Sequence, residues 1–152
     1  MKESTANSTM ERTALPVTQE GATIVSLIEA ADVIHERITS ALKKVGLSFP
    51  KYDVLNQLYL ANGALPLRRL AECQKCAASN ITQIVDRLEA EGLVRRVDDP
   101  DDRRSVRAEL TEEGQRLALE GDTQMEFVKA QFAATYTAAE RQELGRLLNK
   151  LS

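Results

Sequence analysis

The sequence predicts a mostly α fold, of the α+β class, in which two short helices lead into one β-hairpin. Three observations carry that expectation. The 152 residues include three Phe, three Tyr and no Trp, so the core is aliphatic, which suits helix-on-helix packing better than an aromatic-rich sandwich. Ile81, Ile84, Val85 and Leu88 recur at i, i+3, i+4 and i+7, the single apolar stripe of an amphipathic helix. After it Gly92 stands where a left-handed helix cap belongs, and Leu93 to Val97 reads as a strand. The run Asp98 to Arg104 cannot continue that strand, and Val106, Ala108 and Leu110 resume the alternation of a return partner.

Taken in order, residues 1–20 are rich in Ser, Thr and Glu, lack periodicity and read as a flexible tail. From Ile24 the pattern changes. Ile24, Ile28, Ala31, His35, Ile38, Leu42 and Val45 are spaced four and three alternately, a seam at 3.5 residues per turn. Leu27, Ile34 and Ala41 widen it, so this first helix must bury its face against more than one neighbour. Gly46 ends it, and Ser48 is expected to cap a second helix with the stripe Val54, Leu55, Leu58 and Tyr59. Asn62-Gly63 closes that helix. Leu67 to roughly Cys73 is a third helix, with Arg68 and Arg69 near its start. Beyond the hairpin, Thr111 caps a long helix with Leu117, Met125, Val128 and Phe132 inward. Thr137 to Glu140 forms a capping box for a last helix whose stripe is Leu144, Leu147, Leu148 and Leu151.

The helix at Ile81 carries the most informative surface. Its outer face holds Ser79, Asn80, Thr82, Gln83 and Arg87, hydroxyl, amide and guanidinium groups that match donors and acceptors on base edges. Such a face can also be merely solvated. Paired helices followed by a hairpin with arginines at its tip nevertheless make a winged helix-turn-helix, in which one helix enters the major groove and the tip reaches the adjacent minor groove.

The run Asn80 to Val94, followed by Asp98 to Arg104 and by Leu110-Thr111-Glu112-Glu113-Gly114, closely resembles MarR-type transcriptional regulators. Gly46 to Leu55 resembles the family's entry into its second helix, and the likeness spans roughly Ile24 to Leu151. The resemblance implies one domain over 21–152, with a DNA-binding winged helix at about 48–110. It also implies dimerisation helices at about 22–46 and 111–151, packed together between two subunits of a homodimer. A twofold assembly would set two reader helices about 34 Å apart on a pseudo-palindromic operator in double-stranded DNA.

Ser79, Asn80, Thr82 and Gln83 are the candidates for base contact, a Gln83 amide being able to pair with adenine. Arg68 and Arg69 are candidates for the DNA backbone by resemblance, and Arg87, on the outer face of the reader helix, is a further DNA-binding candidate. Arg103 is the candidate minor-groove arginine, oriented by Asp101, with Arg104 beside it. Asp98, Asp99, Asp101 and Asp102 would repel phosphate, so they are expected to pair with Arg103, Arg104, Arg95 or Arg96.

Cys73-Gln74-Lys75-Cys76 departs from the family pattern, which has Leu at Gln74, Gly at the Lys75 turn, an aliphatic residue at Cys76 and a Ser/Thr cap at Ala77. Cys76 lies just ahead of the reader helix beside Lys75, and a helix N-terminus and a cation both favour thiolate. Cys73 and Cys76 are therefore a candidate redox switch, against the simpler reading of packing residues. Two thiols complete no zinc site, and neither a metal nor a cofactor is expected. By resemblance, a small aromatic or phenolic effector would bind between the dimerisation helices and the DNA-binding lobe, with His35 and Tyr52 as pocket candidates.

The net charge of −3 rules out binding by bulk basicity. The chain has no run of 18 apolar residues and no hydrophobic leader, so no membrane is expected and the cytoplasm is. The leading reading is a DNA-binding regulator, a repressor released by a small molecule or by thiol oxidation. A winged helix serving as a protein adaptor is the second reading. An enzyme is the third, and one histidine with no HExxH, GxSxG or phosphate loop leaves it no catalytic constellation.

Overall fold

A computed structural model describes residues 18–73, 78–100, 102 and 104–151, with the backbone alone at 78 and 79. The elements run α1 (Gln19–Lys43), α2 (Phe49–Leu60), β1 (Ala64–Pro66), α3 (Leu67–Cys73), α4 (Ala78–Ala90), β2 (Val94–Asp98), β3 (Val106–Leu110), α5 (Glu112–Thr135) and α6 (Ala138–Leu148). The chain divides within α1 into two compact units, Met1–Ile34 and His35–Ser152.

In the first unit, the Thr18 hydroxyl accepts from the Gly21 amide at 3.1 Å, satisfying one of the donors a helix start leaves open. Ile24, Val25, Leu27, Ile28 and Val33 are exposed along this part of α1.

The second unit holds the core, built from Leu42, Leu47, Tyr52, Val54, Leu55, Leu58, Leu70, Ile81, Val85, Leu88, Leu93, Val94, Ala108 and Ala118. α2 packs against α5, and α3 against α4. Pro50 sits in the first turn of α2, where its missing N–H costs nothing. Ser48 has the extended backbone of a cap, but its side chain makes no capping hydrogen bond, contrary to expectation. Tyr59 is exposed, and Tyr52 instead joins Val54, Leu55 and Leu58 in the core.

Left-handed caps end three segments. At Gly92 (φ 72°) the Leu93 amide donates to Leu88 O at 2.9 Å and the Gly92 amide to Glu89 O at 2.9 Å, a Schellman closure that turns the chain straight into β2. Gly46 and Asn62 close α1 and α2 in the same way.

The three-stranded antiparallel sheet has the order β1-β3-β2. β1 was not expected from the sequence. It pairs with β3 in the register Leu65↔Ala108, stitching the start of α3 to the hairpin. β2 pairs with β3 through Arg96↔Ala108 and Asp98↔Val106.

Thr111 locks the return into α5. Its side chain accepts from the Gly114 amide at 3.0 Å, and its hydroxyl donates to Gly92 O at 2.8 Å. Gly114 is glycine for a packing reason: a Cβ there would lie 1.9 Å from Leu93 O. The capping box at Thr137 and Glu140 is present, and it starts an α6 on which no residue is buried. Leu147, Leu148 and Leu151 lie exposed, as do Phe127 and Tyr136.

Candidate nucleic-acid interface

The surface most suited to a ligand is the outer face of α4. Ile81, Val85 and Leu88 are fully buried, and this fixes the rotation of the helix. Asn80, Thr82, Gln83, Asp86 and Arg87 consequently lie exposed on the far side. Ser79 stands in the first turn of α4. A small cleft of about 170 Å³ runs beside this face, lined by Ser48, Pro50 and Lys51 from the start of α2 and its cap and by Asn80, Ile84 and Arg87 from α4. Lys51 is paired with Glu91, at the end of α4.

The arginines around this face divide into two groups. Arg87 has no ion-pair partner among the described residues. Arg96 is fully committed: its guanidinium meets Asp86 at 2.6 Å and also Glu89, and Glu89 accepts from its backbone amide at 3.0 Å. Arg95 forks onto Glu109, directly across the ladder, at 3.2 and 3.1 Å. The expected pairing of Arg95 and Arg96 with the hairpin acids is therefore wrong. Carboxylates on neighbouring elements reach them first.

The hairpin tip is closed by its own backbone. The Asp99 amide donates to Ser105 O at 3.1 Å, the Ser105 amide to Asp102 O at 2.9 Å, and the Arg104 amide to the Asp102 carboxylate at 2.9 Å. Arg104 is exposed beyond this closure. Asp101 and Arg103 lie outside the described residues. Asp99 is buried, and its carboxylate stands 4.0 Å from the guanidinium of Arg107, an arginine not anticipated for it.

On α3, the side chains of Arg68 and Arg69 are 89% and 68% exposed. Both also meet Glu72, at 3.2 and 3.0 Å. Cys73 is exposed at the end of α3 with its thiol free, and Cys76 lies outside the described residues.

Of the two candidates for an effector pocket, one is exposed and the other buried. His35 is exposed on α1. Tyr52 is buried in the core, its ring against Gly121 of α5 and its hydroxyl 3.3 Å from Asp122. Burial, with the Asp122 charge beside it, pushes the phenol up to about 12. A separate groove of about 480 Å³ between α1 and α5 is lined by Arg37, Ser40, Ala41, Lys44, Phe127 and Gln131, among others. The Lys44 ammonium lies 5.6 Å from the Phe127 ring centre. Neither His35 nor Tyr52 lines it. Spacing in the sequence carried no signal for this groove, because its walls come from helices about ninety residues apart.

Residues 45–105 match the model of the MarR family. The chain is 32% identical over 128 residues to the HTH-type transcriptional regulator PrsX of Escherichia coli, covering 81% of this chain and 74% of that protein. It is 34% identical over 95 residues to YsmB of Bacillus subtilis, an uncharacterised HTH-type transcriptional regulator. That match covers 62% of this chain and 64% of YsmB, so the chain spans less than two thirds of that relative. Among solved structures, the organohalide-sensing transcriptional regulator RdhR bound to 2,4-dichlorophenol superposes with a TM-score of 0.78. It has 26% identity, covering 99% of this chain and 88% of that one. A mutant of MarR from E. coli in complex with operator DNA has the same fold, with a TM-score of 0.76 at 22% identity, covering 87% of this chain and 95% of that one.

Proposed function

Because this chain belongs to the MarR family of winged-helix transcriptional regulators, we propose that it is a dimeric repressor that reads a pseudo-palindromic operator with α4. The observation that carries the reading is the division of α4, with Ile81, Val85 and Leu88 in the core and Asn80, Thr82 and Gln83 facing out. A face of amides and hydroxyls without an aromatic or aliphatic anchor suits base edges better than a protein surface. Arg68, Arg69 and Arg87 would hold phosphates, which position the protein without reading sequence. Arg103, oriented by Asp101 and with Arg104 beside it, would enter the minor groove.

A second copy of the chain is the partner proposed for the apolar residues left exposed on α1, α5 and α6, such as Ile24, Ile28, Phe127, Leu147 and Leu148. For release, a small aromatic or phenolic molecule is proposed, of the kind RdhR is seen to bind. Such a molecule must favour a subunit arrangement whose reader helices no longer match successive grooves. Thiol oxidation at Cys73 and Cys76 is the second route proposed.

The test is fluorescence anisotropy with the DNA upstream of the chain's own gene and a scrambled duplex, across a salt series. Light scattering in the same buffers gives the mass. Tight, salt-dependent preference for the upstream DNA by a species of twice 16.8 kDa is expected. Equal weak binding to both duplexes, or a monomer, would overturn the reading and favour an adaptor. Adding 2,4-dichlorophenol, and separately peroxide, tests the two routes of release.

A further inference from the structure

We propose that Arg107 is the positioning residue that sets the wing, the β2–β3 hairpin, at its angle to the reader helix. The inference rests on the wing having the DNA role proposed above. Its basis is the juxtaposition of Arg107, Asp99 and Ala64.

Arg107 lies in β3 opposite both Val97 of β2 and Pro66 of β1, the rung nearest the wing tip of the three that cross all three strands. Its side chain is 26% exposed, and its Nε is buried without a hydrogen-bond partner. The guanidinium reaches in two directions. Nη2 donates to Ala64 O at 3.5 Å, and Nη1 stands 4.0 Å from Asp99 Oδ1. Ala64 opens β1, which runs directly into α3, and therefore belongs to the helix-turn-helix. Asp99 is the first residue past β2, and its amide closes the hairpin onto Ser105.

One guanidinium thus spans the helix-turn-helix, the middle strand and the root of the wing. Asp99 is 8% exposed, and a carboxylate that buried is costly unless a cation or donors face it. Arg107 supplies one such cation from a strand whose other edge is fixed to β1. The planar fork matters, because a lysine ammonium reaching Asp99 would leave the Ala64 carbonyl behind. Arg107 is half-buried on the face of β3 opposite Ala108, and it acts on DNA only through where it holds Asp99, and with it Arg104 at the tip.

The variant Arg107→Met keeps the aliphatic stem and removes the fork, and Asp99→Asn removes the charge from the other side. In the free protein, amide exchange at Asp99 and Ser105 is expected to rise roughly tenfold in either variant, with exchange at Val85 in α4 unchanged. In the operator complex, hydroxyl-radical protection of the flanking minor groove is expected to fade while major-groove protection under α4 persists. The double variant should be no worse than either single, and Arg107→Lys should restore the pattern only in part. Equal exchange at the wing in wild type and variants, or additive losses in the double variant, would overturn the assignment. The exchange arm contains no DNA, so a wild-type protein that binds no operator sinks the functional reading and not this one.

Discussion

The hydroxyl of Tyr52 on α2 donates to the Asp122 carboxylate on α5 at 3.3 Å, tying the second helix to the long one from inside the core. Burial and the neighbouring charge hold its proton, with the phenol pushed up to about 12 from the ordinary 10. The folded state thus keeps the proton where the unfolded chain has lost it. The stabilisation is fully present below pH 10 and disappears as pH rises towards 12. Urea unfolding from pH 8 to 12 should show the advantage of wild type over Tyr52→Phe shrinking across that window. An advantage that stays constant to pH 12 would show that the Asp122 contact does not hold this proton.

Gly114 and Gly145 should respond oppositely to alanine. At Gly114 the new Cβ would meet Leu93 O at 1.9 Å and its carbonyl carbon at 2.9 Å, backbone atoms that also receive the Thr111 amide. Neither can move without pulling β2 from the start of α5, so a loss of about 1–3 kcal/mol or more is expected in urea titration. Gly145, within α6, has nothing within 4 Å of a built Cβ and an ordinary backbone. Gly145→Ala is expected to gain up to about 1 kcal/mol from helix propensity alone.

Arg87 and Arg96 stand near one another on the same lobe but should separate by experiment. Arg96 bridges Asp86 and Glu89 of α4 from β2, so Arg96→Met should weaken the α4–β2 contact and lower the urea midpoint. The salt dependence of DNA binding should not change. Arg87 carries no ion pair among the described residues and lines the cleft beside Asn80. Arg87→Met should leave stability alone and reduce the salt slope by about one. A slope unchanged in Arg87→Met, or reduced in Arg96→Met, would reverse the two roles.

The contrast between these arginines marks where the sequence stops being legible. The rotation of α4 could be read directly, because Ile81, Ile84, Val85 and Leu88 repeat within one element and their burial forces Asn80 and Gln83 outward. The turn at Gly92 and the cap at Thr111 were equally local. Strand β1 was missed because Ala64-Leu65-Pro66 is too short to alternate and pairs with residues more than forty positions away. Ion pairs failed for the same reason. Proximity in sequence suggested the hairpin acids Asp98, Asp99, Asp101 and Asp102 for Arg95 and Arg96, whereas strand register and the helix turn delivered Glu109, Asp86 and Glu89. The burial of Tyr52 was not legible because its inward face is created by the absence of a side chain at Gly121, and no periodicity on α2 reports that.

Glu72 is the acid with the most to reveal about the backbone contacts. It accepts from Arg68 Nε at 3.2 Å and from Arg69 Nη1 at 3.0 Å, holding both exposed guanidinium groups on α3. Exposed pairs of this kind contribute little to stability, so a phosphate oxygen can displace the carboxylate. The displaced charge then stays close to the phosphate and opposes it. Glu72→Gln keeps the length and hydrogen-bonding oxygen of the side chain and removes that repulsion. Affinity for operator and for unrelated duplex should rise by the same factor, roughly 2–10-fold at low salt, and the gain should vanish at high salt, where screening hides the charge. Thermal stability should barely move. A gain confined to the operator would mean that α3 touches bases rather than phosphates. No gain on either duplex would mean that Arg68 and Arg69 stand away from the DNA.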